Sequence, residues 1–248
     1  MGNPKTVLHG TIFSEEYWFS VPFFMKYIEL ERKTYPDMDT LVLTNNVPKE
    51  SVAKLTEAVK EYKSVKIKDL GKIPNPRIGR INMHAIVGSR NEMFKAGIDG
   101  SYDVLYSVDF DTIPDMNSVP KLIQYFDMPK VGLVGGNYHL KGSRSVLGGP
   151  VICGKFPVED EKLKEICKDN WTDIVLGLGF GFTMFSREIF SNPLYHCDTE
   201  FLKEHPGGTE DFPVCRRILS NGYRLVWVKN VRAKHLLYNK ELRIVEAW

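Results

Sequence analysis

Short apolar runs alternate with segments of helical periodicity over the first 110 residues, and this alternation constrains the fold more than any other feature. Four runs have the length of buried strands and lie at 6–13, 40–44, 65–67 and 104–108. Two of the segments between them, 51–62 and 81–95, have the pattern of helices. Strands and helices that alternate at this spacing form parallel sheets with crossover helices. We therefore expect an α/β fold with a mostly parallel central sheet.

A further helix is predicted after the first strand, beginning near Pro22. Phe23, Phe24, Tyr27 and Ile28 fall on one face of this helix, at i, i+1, i+4 and i+5. An aromatic face of this kind can bind a membrane or an acceptor, but packing against a sheet is the more common role. We therefore expect these four side chains to be buried.

The second half of the chain is less regular. We expect strand and loop at 131–150, helices at 160–168 and 211–220, and a strand at 223–228. The segment from Gly71 to Arg77 contains two prolines and is predicted to be a loop. No internal repeat interrupts the pattern, so we expect one domain over residues 1–248.

The composition excludes several classes of protein. Hydrophobic residues make up 43% of the chain, which is enough for one sizeable core and too many for a disordered chain. The net charge of +2 gives no electrostatic case for binding nucleic acid. Four cysteines without a CxxC pair exclude a disulfide scaffold. The longest nearly apolar stretch, 174–185, is too short to span a bilayer, and no signal peptide is recognisable, so we expect a cytoplasmic protein.

Two aspartates follow the predicted strand at 104–108 directly. Asp109 and Asp111 are two residues apart, so in an extended chain both side chains point to the same side. Paired carboxylates suit Mg²⁺ or Mn²⁺, which substrate phosphates often complete. The alternative is a solvated turn, in which aspartate is common. Because ligands bind at the carboxyl ends of strands in α/β sheets, this pair predicts a site.

The order of four motifs resembles family-2-type glycosyltransferases with the GT-A fold. The motifs are Ser89-Arg-Asn91 with Ala96-Gly97 and Asp109-Phe-Asp111, the glycine loop Gly177–Phe185, the xED-like Thr209-Glu-Asp-Phe212, and Val231-Arg-Ala-Lys-His235. The resemblance covers roughly residues 5–237. It implies a single GT-A domain with a Rossmann-like nucleotide-binding half at about 1–115 and an acceptor half at about 116–248.

The resemblance also implies a metal site. Asp111 would ligate the divalent metal. Asp109 would either contact the ribose of the nucleotide or also ligate the metal. His235 would be a further ligand, and an imidazole ligand favours Mn²⁺ over Mg²⁺. The alternative for His235 is a partly buried histidine after a strand.

Donor contacts are predicted at several positions. Asn45-Asn46 stand where family members usually carry an acid that reads the base, and an amide can still hydrogen-bond a base edge. Thr11 is a further candidate contact of the base. Arg90 would pair with phosphate or a base edge, with Arg77 and Arg80 as rivals for that role.

Gly179 is predicted to lie beside the donor sugar. Gly177, Gly179 and Gly181 alternate, and no helix begins there, unlike in a dinucleotide fingerprint. Glycine lets the backbone approach a ligand closely, so the loop is expected to border donor sugar and acceptor. The alternative is a glycine-rich strand packed against another strand.

The xED-like motif supplies the predicted catalytic pair. The resemblance makes Asp211 the general base that takes the proton from the acceptor hydroxyl, with Glu210 as a neighbour able to raise its pKa. The alternative is structural: Thr209 caps a helix, and Glu210 and Asp211 favour its positive end. A helix N-terminus would lower the pKa of Asp211 and weaken it as a base.

The function implied by the resemblance is a metal-dependent hexosyltransferase that moves a sugar from a UDP- or GDP-linked donor to an acceptor hydroxyl, with inversion. The alternatives are a retaining glycosyltransferase, a sugar nucleotidyltransferase and a non-catalytic nucleotide- or sugar-binding module. A nucleotidyltransferase needs a glycine-rich and basic loop after the first strand, whereas His9–Glu16 has one glycine and two acids. The acceptor stays open among glycans, lipid-linked carriers, proteins and small molecules. A lipid-linked acceptor would bring peripheral membrane contact.

Overall fold

The computed structural model describes residues 5–74, 82–138, 172–200, 210–239 and 244–247. Its strands are β1 (Val7–Phe13), β2 (Met38–Thr44), β3 (Val65–Asp69), β4 (Val104–Val108), β5 (Thr112–Pro114), β6 (Val131–Tyr138), β7 (Thr172–Val175), β8 (Phe182–Ser186), β9 (Arg224–Asn239) and β10 (Ile244–Ala247). Its α-helices with described bounds are α1 (Val21–Thr34), α2 (Lys49–Val59), α3 (Met83–Asp99), α4 (Ser118–Ile123), α5 (Arg187–Phe190) and α6 (Asp211–Ser220). Shorter 3-10 helices occupy Glu15–Ser20, Gln124–Asp127 and Pro193–Tyr195. The predicted helix at 160–168, and Arg77, Arg80 and Thr209, lie outside the described residues.

The described strands form one mixed sheet in the order β10-β9-β6-β8-β4-β1-β2-β3, with β5 and β7 paired to β9. The strands β3, β2, β1 and β4 are parallel neighbours, as the alternating sequence pattern predicts. Strand β8 runs antiparallel between β4 and β6, and β6 and β9 are parallel. The α/β fold with a mostly parallel central sheet is therefore confirmed.

Two apolar cores cover the two faces of this sheet. One contains Phe24 and Ile28 of α1 together with Tyr106 of β4. The other contains Phe94 of α3 and Ile218 of α6. Both faces are covered, so the central strands are buried throughout, and each fully buried phenylalanine stabilises the fold by about 1.5–3 kcal/mol. This packing fixes the strand ends, where polar side chains emerge.

The carboxyl ends of β1, β2 and β4 meet at one edge of the sheet because these strands are parallel neighbours. The chain turns directly after β4, where the Asp109 backbone N–H donates to the Gly181 carbonyl over 2.9 Å. Strand β5 then pairs antiparallel with β9, which places Thr112 opposite His235. The segment between β4 and β5 is thereby held from two sides.

Some sequence predictions differ from the structure. Phe23 is 45% exposed, so the predicted aromatic face contains only Phe24, Tyr27 and Ile28. The strand predicted at 223–228 continues to Asn239 as β9. Its second half pairs with β5, with β10 and with the end of β6.

Within the described ranges, no helix combines the length and the apolar character that crossing a bilayer requires. The cytoplasmic location stays a prediction.

Candidate active site

A cavity of about 700 Å³ opens at the carboxyl ends of β1, β2 and β4, where ligands bind in open α/β sheets. Segments that are distant in the sequence supply its walls: the chain after β1 and β2, helix α3, the turn after β4, the end of β6, the loop before β8 and the start of α6. The polar side chains in these walls are Ser14, Glu16, Tyr17, Asn45, Asn46, Asn82, Arg90, Asp109, Asp111, Tyr138, Glu210 and Asp211.

The described walls of the cavity are strongly acidic. They contain five carboxylates and one guanidinium. The guanidinium is that of Arg90, and the carboxylates are those of Glu16, Asp109, Asp111, Glu210 and Asp211. The chain as a whole has a net charge of +2, so the negative charge is local. An anionic ligand such as a diphosphate would need a cation to enter such a cavity.

Arg90 holds two of these carboxylates from different parts of the fold. Its side chain is 4% exposed, and Nη2 donates to Asp109 Oδ1 over 2.9 Å while Nη1 donates to Ser107 Oγ. Its Nε lies 3.7 Å from Glu210 Oε1. Burial disfavours the charge, but Asp109 and Glu210 outweigh it and raise the pKa of Arg90. The guanidinium predicted to contact a donor is thus engaged with the protein's own carboxylates.

Glu210 and Asp211 lie at the start of α6. Burial, and after it the charge of Asp211, raise the pKa of Glu210 to about 7, although Arg90 opposes the shift. Asp211 Oδ2 accepts a long hydrogen bond of 3.4 Å from the Phe180 N–H, while within the described residues its Oδ1 is buried without a hydrogen-bond partner. The prediction that Glu210 raises the pKa of Asp211 stays a prediction.

The glycine loop accommodates protein side chains. A Cβ on Gly179 would lie 2.5 Å from the Tyr138 hydroxyl, and a Cβ on Gly181 would collide with Asp109 Oδ2. Gly181 lines the cavity, but Gly179 is not among the lining residues. The close approach predicted at Gly179 is therefore made to Tyr138, a residue that sequence analysis missed. Its position at the carboxyl end of a strand is the one signal that would have found it.

Of the residues predicted to contact the nucleotide, some line the cavity and others do not. Asn45 lines the cavity, and its Nδ2 donates to Ser89 Oγ over 2.9 Å. Thr11 lies inside β1, fully buried and off the cavity, and the following residues Ile12 to Ser14 line the cavity instead. Arg80 lies outside the described residues.

Two of the three predicted metal ligands line the cavity, and the third lies on a neighbouring strand. Asp109 and Asp111 are lining residues. His235 stands opposite Thr112 in the β5–β9 pair, next to Asp111, whose carbonyl accepts from the Leu236 N–H over 2.7 Å. His235 is 6% exposed and is not a lining residue, and its ring lies 5.3 Å from that of Tyr138. In the part of the chain that the structure describes, no three His, Cys, Asp or Glu side chains are placed to hold one metal ion. Two carboxylates at one wall nevertheless fit Mg²⁺ or Mn²⁺, because such ions are commonly held by one or two carboxylates and completed by substrate phosphates.

The sequence matches no protein-family model, and no curated protein is significantly similar to it. Similar solved structures include GalNAc-T7 with UDP, GalNAc and Mn²⁺, with a TM-score of 0.66 and 18% identity over 95% of this chain and 44% of that chain. Another is the mannosyltransferase PcManGT from Pyrobaculum calidifontis in complex with GDP-Man and Mn²⁺, with a TM-score of 0.59 and 12% identity over 92% of this chain and 56% of that chain.

The likeness to these structures establishes the fold class. This chain is a mixed α/β protein with the GT-A fold of glycosyltransferases. It spans about half the length of the two structures. Membership of family 2 stays a prediction, because function belongs to the site and not to the fold.

Proposed function

We propose that this protein is a metal-dependent glycosyltransferase that moves a hexose from a UDP- or GDP-linked donor to an acceptor hydroxyl. The observation that carries the proposal is the acidic cavity at the strand ends, in which Asp109 and Asp111 share one space with Glu210 and Asp211. Two structures of the same fold contain Mn²⁺ with UDP or GDP-Man, which supports the same ligand class here.

Asp109 and Asp111 would hold the divalent cation, Mn²⁺ or Mg²⁺, through carboxylate oxygens. When bound, the cation supplies charge neutralisation for the diphosphate leaving group. His235, which lies on β9 next to the backbone of Asp111, is the proposed third ligand. Asn45 and Asn46 offer amide groups to the base at the end of β2.

Asp211 is the proposed general base. Its Oδ2 accepts from the Phe180 N–H, so Oδ1 is the oxygen that would take the proton from the acceptor hydroxyl. The hydroxyl oxygen then forms the new bond to the anomeric carbon as the bond to the diphosphate breaks. A direct displacement of this kind inverts the anomeric centre. The carboxyl of Glu210, which lies beside Arg90, would control through its own protonation how much negative charge is next to Asp211.

Calorimetry with UDP, GDP and CDP, each with and without Mn²⁺, tests the donor site. We expect one nucleotide to bind the wild type in a Mn²⁺-dependent manner and Asp111→Ala to lose that binding. Asp127→Ala is the matched control, because Asp127 is exposed and paired with Lys5 away from the cavity. No Mn²⁺-dependent binding of any nucleotide would contradict the proposal.

A turnover measurement distinguishes a glycosyltransferase from a non-catalytic binding module. Release of nucleotide from UDP- or GDP-sugars should be measurable for the wild type and reduced at least about 100-fold in Asp211→Asn, as for loss of a general base. Donor binding without any turnover across a panel of glycan, lipid-linked and small-molecule acceptors would favour the non-catalytic module.

A further inference from the structure

The hydroxyl of Tyr138 is a polar group that has no hydrogen-bond partner among the residues that the structure describes. Tyr138 ends β6, is 7% exposed and lines the cavity. Among the described residues, no group forms a hydrogen bond with this hydroxyl, although other buried tyrosines such as Tyr27 and Tyr106 bond to Ser118. A buried hydroxyl normally has a partner, so an unpaired one at a cavity wall points to a ligand.

The position of this hydroxyl is defined by the two glycines of the loop. A Cβ on Gly179 would lie 2.5 Å from the Tyr138 hydroxyl and 3.6 Å from Asp211 Oδ2. A Cβ on Gly181 would lie 3.1 Å from the same hydroxyl and would also collide with Asp109 Oδ2. The hydroxyl therefore lies close both to Asp109, on the proposed metal side, and to Asp211, the proposed base.

The tyrosine ring is held in one orientation. Phe182 contacts it edge-on with the ring centroids 6.3 Å apart, and His235 contacts it at 5.3 Å. Both contacts come from strands of the central sheet, β8 and β9. A side chain fixed in this way can hold its hydroxyl in place before the ligand binds.

A sugar bound in this part of the cavity needs a hydrogen-bond donor from the protein. The surrounding carboxylates accept hydrogen bonds, and the guanidinium of Arg90 is engaged with Asp109 and Ser107. Sugar hydroxyls can donate to the carboxylates, but their oxygens also accept hydrogen bonds. Tyr138 supplies a neutral O–H that is not used by the described protein groups.

We propose that Tyr138 contacts the transferred sugar and donates its O–H to one sugar hydroxyl oxygen, so that it selects donors with a hydroxyl at that position. This inference rests on the proposed function, because it takes the ligand to be a nucleotide-diphospho-sugar. A site that pairs with a substrate hydroxyl discriminates against a sugar that lacks it.

Calorimetry in Mn²⁺ tests this role with two classes of probe, the nucleotides UDP and GDP and the nucleotide-sugars UDP-glucose, UDP-N-acetylgalactosamine and GDP-mannose. We expect Tyr138→Phe to bind the nucleotide as the wild type does and to bind the preferred nucleotide-sugar about 2- to 13-fold more weakly, which corresponds to the loss of one neutral hydrogen bond. Tyr125→Phe is the matched control. Its hydroxyl pairs with Thr172 over 2.9 Å away from the cavity, so both affinities should stay unchanged.

The outcomes separate the two proposals. A wild type that binds no nucleotide with Mn²⁺ overturns the proposed function. A wild type that binds normally, with Tyr138→Phe unchanged for the nucleotide-sugar or equally weakened for the nucleotide, overturns only the role of Tyr138. Donor analogues that each lack one hydroxyl give a second test on the wild type: one of them should bind about 2- to 13-fold more weakly than the parent sugar. If all deoxy analogues bind like the parent sugar, the inference is overturned without any variant.

Discussion

At the scale of single residues, the buried charges of the cavity depend on one cation. Arg90 is the guanidinium shared by Asp109 and Glu210, and a partly paired buried carboxylate resists ionisation. The side chain of Glu210 is only 8% exposed, and this burial is the main reason why its pKa is raised. A group that titrates near neutral pH thus lies next to the proposed base.

Glu210 should lower the stability of the protein as the pH rises. Its pKa is about 7 in the fold against an ordinary 4.5, so between these values the folded state keeps a proton that the unfolded state releases. Its contribution to the free energy of unfolding therefore decreases from pH 4.5 to 7, by up to about 3 kcal/mol. We expect Glu210→Gln to remove this slope, measured by urea unfolding in EDTA. Parallel curves for variant and wild type would contradict the prediction.

His9 should have the opposite effect in acid. It is fully buried against Phe24 and Tyr106, and in the described part of the chain neither ring nitrogen has a hydrogen-bond partner. Burial lowers its pKa from 6.5 to about 3, so the unfolded state gains a proton first and stability falls as the pH drops from 6.5 to 3. The loss is about 1.4 kcal/mol per pH unit.

The variant His9→Phe tests this contribution. We expect it to show a shallower decrease in the free energy of unfolding between pH 6.5 and 4 than the wild type, as measured by urea titration at each pH. An unchanged slope in the variant would mean that other groups control the acid sensitivity.

At the scale of secondary structure elements, helix α1 shows which buried side chains the spacing of apolar residues can predict and which it cannot. Its apolar stripe predicted burial of Phe24, Tyr27 and Ile28, because these residues face the sheet. Phe23 is adjacent in sequence but turns away, and Glu31 is fully buried on the same helix. The apolar pattern of a helix predicts that a glutamate lies at the surface. Glu31 is buried because of where α4 lies in the fold, which the pattern of α1 does not contain.

Glu31 connects α1 to the start of α4. Its carboxylate accepts from the Val119 N–H over 2.7 Å and from the Asn117 N–H over 3.0 Å, where Asn117 has a left-handed φ of 64°. We expect Glu31→Gln to destabilise the protein by about 1–3 kcal/mol, because one amide nitrogen would then face a backbone donor. Thermal or urea unfolding measures the effect.

Glu29→Gln is the control on the same helix. Glu29 is exposed and pairs with Lys33 on the surface of the helix, so its loss should cost less than about 0.5 kcal/mol. Equal effects of the two substitutions would show that Glu31 does not stabilise the start of α4.

At the scale of the whole molecule, the sequence predicts the sheet better than the site. Buried parallel strands such as β2 and β4 contain short apolar runs, so their positions and the polar residues that follow them can be predicted locally. Tyr138 reaches the cavity only because β6 pairs with β8 and β9, and such long-range pairing is not visible in a short stretch of sequence. The same pairing brings the His235 ring to 5.3 Å from the ring of Tyr138.

The concentration of negative charge in one cavity predicts that divalent metal stabilises the whole fold. A ligand that binds only the folded state at 100 times its Kd adds about 2.7 kcal/mol, which for a chain of this size raises Tm by about 5 °C or more. We expect Mn²⁺ to raise the Tm of the wild type in thermal unfolding, UDP or GDP to add to this increase, and EDTA to reverse it. Asp111→Ala should lose the response, because it removes one of the two carboxylates proposed to hold the metal, while Asp127→Ala should keep it. An equal rise in Tm for Asp111→Ala would mean that Mn²⁺ binds elsewhere on the protein.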